Sequence, residues 1–188
     1  STPDEKLVHA PRPRIIKSHQ GYDDRYPKVI YLVRDVRDVV VSYYYHQKGR
    51  GHFPQHHGFN TFFDWFVSDA VWPGGWDHHV VGWLNNRARI PNGFLLVRYE
   101  DLLHDIRGQT KRILEFLHIE RTDQDIRAAS RWSSFEHVRE MERKAVQRKI
   151  PFVRNGKAGQ WSEVLSDDQK RRANRKYGEL LAELGYPV

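Results

Sequence analysis

Two short apolar runs stand out along the chain and predict buried β-strands. Residues 28–34 read KVIYLVR and residues 93–99 read GFLLVRY. A nearly continuous run rich in β-branched residues is typical of a strand that is buried on both faces, as in a parallel sheet. A third and shorter run, RIIKS at residues 14–18, is a further strand candidate that follows a polar, proline-bearing start.

Apolar residues at helical spacing fill most of the remaining chain. After the first strong strand, Val36, Val39, Val40 and Tyr43 fall on one helical face, and Gly49 follows as a stop signal. Further helices are predicted over residues 61–72, 76–89, 100–117, 122–131, 134–147 and 167–184. Strands that alternate with helices predict an α/β fold with a parallel β-sheet flanked by helices and right-handed crossovers.

Length and composition favour one folded domain over residues 1–188. The chain has 188 residues, no internal repeat and no evident linker, and single cores rarely stop growing below ~250 residues. The absence of cysteine excludes a disulfide scaffold and a thiolate nucleophile. No apolar run approaches the ~18 residues of a membrane span, and the first residues lack the apolar region of a signal peptide. We therefore expect a soluble, cytoplasmic protein without a membrane span.

The charge balance points to an anionic partner. Lysine and arginine number 31 against 24 acidic residues, a net charge of +7. A surplus of this size suits a nucleic acid, a phosphorylated ligand or an acidic membrane surface.

Arg34 is the first candidate for binding such an anion. It lies where the strand of residues 28–34 meets the next helix, and ligands of open parallel sheets bind beyond the carboxyl ends of the strands. The helix N-terminus adds free N–H groups there, and Ser42, two turns into the helix, could reach the same anion. The alternative is that Arg34 pairs with Asp35 or Asp38 at the helix start.

Lys17 and His19 form a second candidate pair. Residues i and i+2 share one face of a strand, so a cation and a base could point into one cleft. The alternative is an ordinary surface histidine, because the chain has 11 of them.

The glycine-bearing segment RNGKAG at residues 154–159 is the third candidate. Backbone N–H groups and basic side chains in such a loop can wrap a phosphate. The alternatives are a solvated basic face and nonspecific nucleic-acid binding. Histidines cluster elsewhere, but their spacing matches no zinc motif, so no metal is expected. These are His52, His56, His57, His78 and His79.

Five motifs together resemble one family. They are KSH at 17–19, YPKVIYLVRDVRDVVVSYYYH at 26–46, VRYEDL at 97–102, SSF at 133–135 and RNGKAGQW at 154–161. In this order they are similar to the sulfotransferases that use 3′-phosphoadenosine 5′-phosphosulfate (PAPS), and the cytosolic type is the closest match. The resemblance implies the P-loop-kinase-like sulfotransferase fold, PAPS as cosubstrate without a metal, and transfer of a sulfuryl group to a small molecule with a hydroxyl or amine. No specific nucleic acid is expected, and the oligomeric state stays open.

The resemblance also assigns roles to residues. It implies that His19 is the base and that Lys17 contacts the transferring sulfuryl group. It implies that the other matching positions bind the nucleotide, at its 3′-phosphate or around the adenine. The phosphate positions are Arg34, Ser42, Arg154, Asn155 and Gly156, and the adenine positions are Tyr99, Ser133 and Phe135. Residues 76–83 resemble a helix of the acceptor pocket, with His79 at a family histidine position.

The chain departs from the family pattern in three respects. Asn155 stands where the family usually has a basic residue, and no family dimer motif is recognisable after Trp161. No stretch resembles the P-K-S/T-G-T-T-W loop that binds the 5′-phosphosulfate, so the chain looks like the family fold without its first βα unit. The alternatives to an enzyme are a catalytically inactive nucleotide-binding fragment and a nonspecific nucleic-acid-binding protein.

Aromatic residues before and at the start of the predicted acceptor helix suggest an apolar acceptor. Packing in the core is the alternative role for the same side chains. They are Phe62, Phe63, Trp65, Phe66 and Trp76.

Overall fold

The structure, a computed structural model, describes residues 14–71, 74–144 and 156–188. The described residues form two strands, with helices between the strands and after the second one. The strands are β1 (Val29–Val33) and β2 (Phe94–Arg98). The helices are α1 (Val36–Gly49), α2 (Phe59–Val67), α3 (Trp76–Asn86), α4 (Tyr99–His104), α5 (Ile106–Leu117), α6 (Asp123–Trp132), α7 (Phe135–Lys144), α8 (Trp161–Val164) and α9 (Asp167–Glu183), with a 3₁₀ turn at Arg87–Arg89 after α3.

The two strands pair in parallel, which confirms the predicted α/β class with a parallel sheet flanked by helices. Val29 lies opposite Phe94 and Val33 lies opposite Arg98. Tyr31 and Val33 are buried, whereas the alternate positions Ile30 and Leu32 are 38% and 56% exposed. Within the described residues, β1 is therefore covered on one face only, and the expectation that both faces are buried is wrong.

The core lies between β1 and helices α1, α2, α3 and α9. Phe62, Phe63 and Leu181 are almost completely buried there, beside the α1 residues Val40 and Val41. Aromatic side chains pack at the interface between α1 and α2. Tyr44 and Phe62, for example, lie 5.6 Å apart between ring centroids. Burial of such side chains supplies most of the driving force for folding.

A buried arginine joins the start of α1 to the end of the chain. Arg37 is 1% exposed and donates to the Asp35 carboxylate at 2.7 Å and to the Pro187 carbonyl at 2.6 Å. It also donates to Asn174 Oδ1 at 3.2 Å, and its guanidinium stacks 3.8 Å from the Trp161 ring centroid. This charge is thus both paired and hydrogen-bonded, as burial requires.

Local polar groups set several helix ends. Asp35 caps α1 by accepting from the Arg37 N–H, and Ser166 and Gln169 form a capping box at α9.

The predicted single helix over residues 100–117 is instead two helices, α4 and α5. Asp105 separates them, because it leaves helical geometry and its side chain accepts from the Gly108 N–H.

Other predicted boundaries also shift. Residues 14–18 form no strand and are exposed, so that strand prediction is wrong. Helix α2 ends at Val67, and Asp69 then takes a left-handed backbone with φ 61°. The short helix α8 lies between residues 154–159 and α9, where the sequence predicts no helix. No helix in the described parts of the chain is both long enough and apolar enough to cross a membrane.

Candidate active site

Arg34 lies at the carboxyl end of β1, directly before α1. Its Nη2 donates to the Lys157 carbonyl at 3.1 Å, and its guanidinium lies 4.5 Å from the centroid of the Tyr99 ring. Arg34 Nε is buried and has no hydrogen-bond partner among the described residues. The side chain is therefore held on two sides while its Nε–H stays unpaired there, which suits an anion at this edge of the sheet.

Asp38 connects the same junction to the loop that begins at Gly156. The carboxylate is 1% exposed and accepts from the Gly159 N–H at 2.7 Å and from the Trp161 N–H at 3.0 Å. Its Oδ2 also lies 3.5 Å from Arg34 Nη2. Arg34 therefore does form the ion pair with Asp38 that was the alternative to anion binding. Its Nε nevertheless has no partner among the described residues. Asp35 pairs with Arg37 instead.

Phe135 and Gly156 meet at the other side of this loop. Gly156 has φ 59°, and a Cβ on it would overlap the Phe135 ring. The half-buried Phe135 begins α7, with the Arg139 guanidinium 5.5 Å from its ring centroid. The close approach explains why glycine occupies position 156.

The other residues expected to bind the nucleotide are exposed or lie outside the described residues. Ser42 and Ser133 are exposed, on α1 and at the end of α6, and the Ser133 hydroxyl donates to the Ser130 carbonyl at 3.3 Å. Arg154 and Asn155 lie outside the described residues. The structure therefore brings Arg34, Tyr99 and the loop after Gly156 together, with Phe135 against the start of that loop.

The segment with Lys17 and His19 is exposed, but the next residue is anchored. The Gln20 carbonyl accepts from His79 Nε2 at 2.8 Å and from Trp83 Nε1 at 3.3 Å. Because a carbonyl can only accept, His79 Nε2 carries the proton. In the neutral ring, Nδ1 then accepts from the Tyr31 hydroxyl at 2.8 Å. Burial raises the pKa of Tyr31, which keeps this hydroxyl a donor.

The aromatic residues expected in an acceptor pocket divide into two groups. Phe62, Phe63 and Phe66 are buried in the core, so their role is packing. Trp65 is 39% exposed, and Trp76 contacts the Tyr177 ring edge-on at 5.8 Å.

Sequence reasoning missed two groups around the site and part of the role of a third. Tyr31 and Trp83 received no individual role, although each makes a polar contact that organises it. Asp38 was predicted as a partner of Arg34, four residues before it at a helix start, but not as the acceptor for the Gly159 N–H. Nothing local distinguishes Tyr31 or Trp83 from ordinary core residues.

The fold and these contacts define an α/β protein with a candidate anion-binding junction at the carboxyl end of a parallel strand. A family model described as the sulfotransferase domain matches residues 3–185. The chain therefore belongs to the sulfotransferase family of enzymes.

Curated relatives agree with this assignment. Sulfotransferase 2A6 of Rattus norvegicus is 29% identical over 198 residues, covering 97% of this chain and 68% of the relative. Sulfotransferase 1A1 of Mus musculus is 30% identical over 193 residues, covering 94% of this chain and 66% of the relative.

Solved structures share the fold. The mouse sulfotransferase SULT7A1, crystallised with PAP, superimposes with a TM-score of 0.83 at 24% identity, covering 94% of this chain and 68% of that one. Retinol dehydratase, solved with androsterone and the inactive cofactor PAP, gives 0.73 at 25% identity, covering 82% of this chain and 47% of that one.

Proposed function

We propose that this chain binds PAPS and takes part in transferring its sulfuryl group to a small molecule with a hydroxyl or amine. The observation that carries the proposal is Arg34, held at the carboxyl end of β1 with a buried Nε that lacks a partner. Family membership and the PAP-bound structural neighbours support the choice of nucleotide.

The residues at this junction fit a phosphorylated nucleoside. Arg34 supplies a charged donor for the 3′-phosphate, and Gly156 lies in the loop whose backbone contacts Arg34 and Asp38. Tyr99 and Phe135 are half-buried aromatic rings, one against Arg34 and the other against Gly156, and suit stacking with adenine. Ser42, Ser133, Arg154 and Asn155 would complete the set that the resemblance implies.

PAPS supplies the activated sulfuryl group when it is bound. The chain's own task is to remove the acceptor proton and to stabilise charge near the sulfur. His19 accepts the proton from the acceptor hydroxyl or amine as the new bond to sulfur forms, and the bond to the phosphate oxygen breaks. Lys17 stabilises the negative charge on the transferring group.

The anchoring of Gln20 supports a fixed position for His19. His79 and Trp83 of α3 hold the Gln20 carbonyl, so the residue before it cannot drift far from that helix. An acceptor that lies along α3 would meet the partly exposed ring of Tyr22, which lies edge-on to the buried Trp83 at 5.6 Å. This surface favours an apolar acceptor with one polar end.

Titration with adenosine 3′,5′-bisphosphate tests the nucleotide site. We expect Arg34→Ala to weaken binding by ~1.5–3 kcal/mol, the range for hydrogen bonds to charged groups. Arg171→Ala is the matched control, because Arg171 makes only an exposed ion pair with Asp168 within α9. Equal affinities for wild type and Arg34→Ala would contradict the proposal. Binding of unrelated polyanions with equal strength and a steep salt dependence would favour nonspecific nucleic-acid binding.

A further inference from the structure

Two carboxylates and a histidine meet at the N-terminal end of α3, and the proposed sulfuryl transfer uses none of them. They are Asp69, Asp77 and His78, and one ligand atom of each lies within 4.8 Å of the others. Asp69 follows α2, whereas Asp77 and His78 lie in the first turn of α3. A Cβ on Gly75 would lie 2.7 Å from Asp77 Oδ1 and 2.9 Å from Asp69 Oδ1, so both oxygens face the same small volume.

The charges in this cluster do not balance. Lys176 of α9 donates to Asp69 Oδ1 at 2.6 Å and to the Val67 carbonyl at 2.8 Å. It therefore neutralises one carboxylate and orients it. Asp77 Oδ1 is buried without any donor. An unpaired buried carboxylate oxygen is costly, so a second cation is favoured at this position.

Tyr177 of α9 is a second buried polar group beside this cluster. It is 2% exposed, and its hydroxyl has no hydrogen-bond partner among the described residues. Its ring contacts Trp76, the residue before Asp77, and the charges of Asp77 and Asp69 lie near its hydroxyl. This hydroxyl is therefore an unused donor beside the two carboxylates.

We propose that Asp69, Asp77 and His78 bind a divalent first-row transition metal ion of the Zn²⁺ type. Two carboxylate oxygens and an imidazole nitrogen suit such ions, whereas Ca²⁺ and Mg²⁺ prefer oxygen ligands alone. Lys176 acts as the outer group that orients Asp69, in the manner common for ligating carboxylates. The Tyr177 hydroxyl donates to a water or carboxylate oxygen bound to the ion.

The metal would join three parts of the chain. It links the turn after α2 to the first turn of α3, and Lys176 and Tyr177 extend the link to α9. Trp76, the first residue of α3, already contacts the Tyr177 ring. Because α3 also carries His79 and Trp83, the ion would fix the helix that anchors the segment of His19.

The experiment titrates the chelator-treated full chain with Zn²⁺, using calorimetry for affinity and thermal unfolding for stability. We expect one site of defined affinity and a rise in Tm of ~5–10 °C at 100-fold excess over Kd. Asp77→Asn and His78→Ala should each weaken Zn²⁺ binding by at least ~10-fold. The double variant His56→Ala/His57→Ala is the matched control, because those adjacent rings, 4.2 Å apart, are the rival zinc ligands.

Stability measured without metal distinguishes a variant that has lost Zn²⁺ binding from one that folds poorly. Asp77→Asn removes the charge of a carboxylate whose buried Oδ1 has no donor among the described residues, so without metal it should be at least as stable as wild type while losing the Zn²⁺-dependent rise in Tm. Zn²⁺ binding that survives His78→Ala but is lost in His56→Ala/His57→Ala would overturn the proposal. The proposal would also be overturned if Asp77→Asn without metal were much less stable than wild type and Zn²⁺ did not raise the Tm of wild type. None of these measurements depends on sulfuryl transfer.

Discussion

Asp38 shows how one side chain can hold two parts of a candidate site together. Its carboxylate accepts two backbone N–H groups from the loop after Gly156 and lies beside Arg34. It is a positioning residue for both the guanidinium and the loop, because each depends on the same pair of oxygens.

We predict that Asp38→Asn destabilises the protein by ~1–3 kcal/mol, because the amide turns one acceptor into a donor that faces a backbone N–H. Urea denaturation measures the change. Asp64→Asn is the matched control, since Asp64 forms an exposed ion pair with Arg172, and such pairs contribute ~0–1 kcal/mol. Equal losses in the two variants would contradict the role given to Asp38.

His19 is the residue on which the chemical step depends in the proposed function. In a preparation with measurable transfer, His19→Ala should lower kcat by ~10²–10⁴ while the affinity for adenosine 3′,5′-bisphosphate changes little. Steady-state kinetics and nucleotide titration together make the measurement. If His19→Ala loses nucleotide binding and thermal stability at the same time, His19 supports the fold and is not the base.

At the scale of elements, the loop from Gly156 to Gln160 depends on two glycines for different reasons. Gly156 and Gly159 both have positive φ, at 59° and 79°. A Cβ at Gly156 would overlap Phe135, whereas a Cβ at Gly159 would meet nothing within 4 Å.

This difference gives a matched pair of substitutions. Gly156→Ala and Gly159→Ala should each cost ~1–2 kcal/mol for the left-handed backbone. Gly156→Ala should in addition displace Phe135 and weaken the binding of adenosine 3′,5′-bisphosphate, whereas Gly159→Ala should leave the affinity close to wild type. Calorimetry with both variants checks this, and equal affinities would show that Phe135 does not line the nucleotide site.

Elements defined by local signals could be predicted, and those defined by tertiary contacts could not. The apolar runs around Tyr31 and Val97 identified both strands of the described sheet, and the junction at Arg34 followed from position alone. Asp105 divides a continuous helical pattern, because a side-chain cap competes there with the backbone. Asp69, Asp77 and His78 come together in the folded chain, whereas the spacing of the histidines along the sequence matches no zinc motif.

At the scale of the whole molecule, we connect the exposed face of the sheet and a missing family loop with the rate of transfer expected of this chain. Ile30 and Leu32 leave one face of β1 exposed within the described residues, and no stretch of the 188 residues resembles the P-K-S/T-G-T-T-W loop. Poor placement of a reacting group can cost ~10²-fold or more in rate.

We therefore predict that the 188-residue chain binds adenosine 3′,5′-bisphosphate but transfers sulfate slowly. Addition of a βα segment that carries the P-K-S/T-G-T-T-W loop, fused or as a separate chain, should raise the rate by ~10²-fold or more. The assay follows labelled sulfate from PAPS to a panel of phenols, alcohols and amines. Rapid turnover by the chain alone would contradict this prediction and show that its own residues place the sulfuryl group.

The buried Arg37 restricts how this protein can diverge. Its guanidinium bonds to Asp35, Asn174 and the Pro187 carbonyl and stacks on Trp161. Lysine cannot reproduce a planar, forked donor that also stacks, so even a charge-conserving replacement would leave acceptors without partners. Second-site changes that restore an Arg37→Lys variant should therefore accumulate at positions 35, 161 and 174, far apart in sequence. In evolutionary terms, we expect these positions to change as a set.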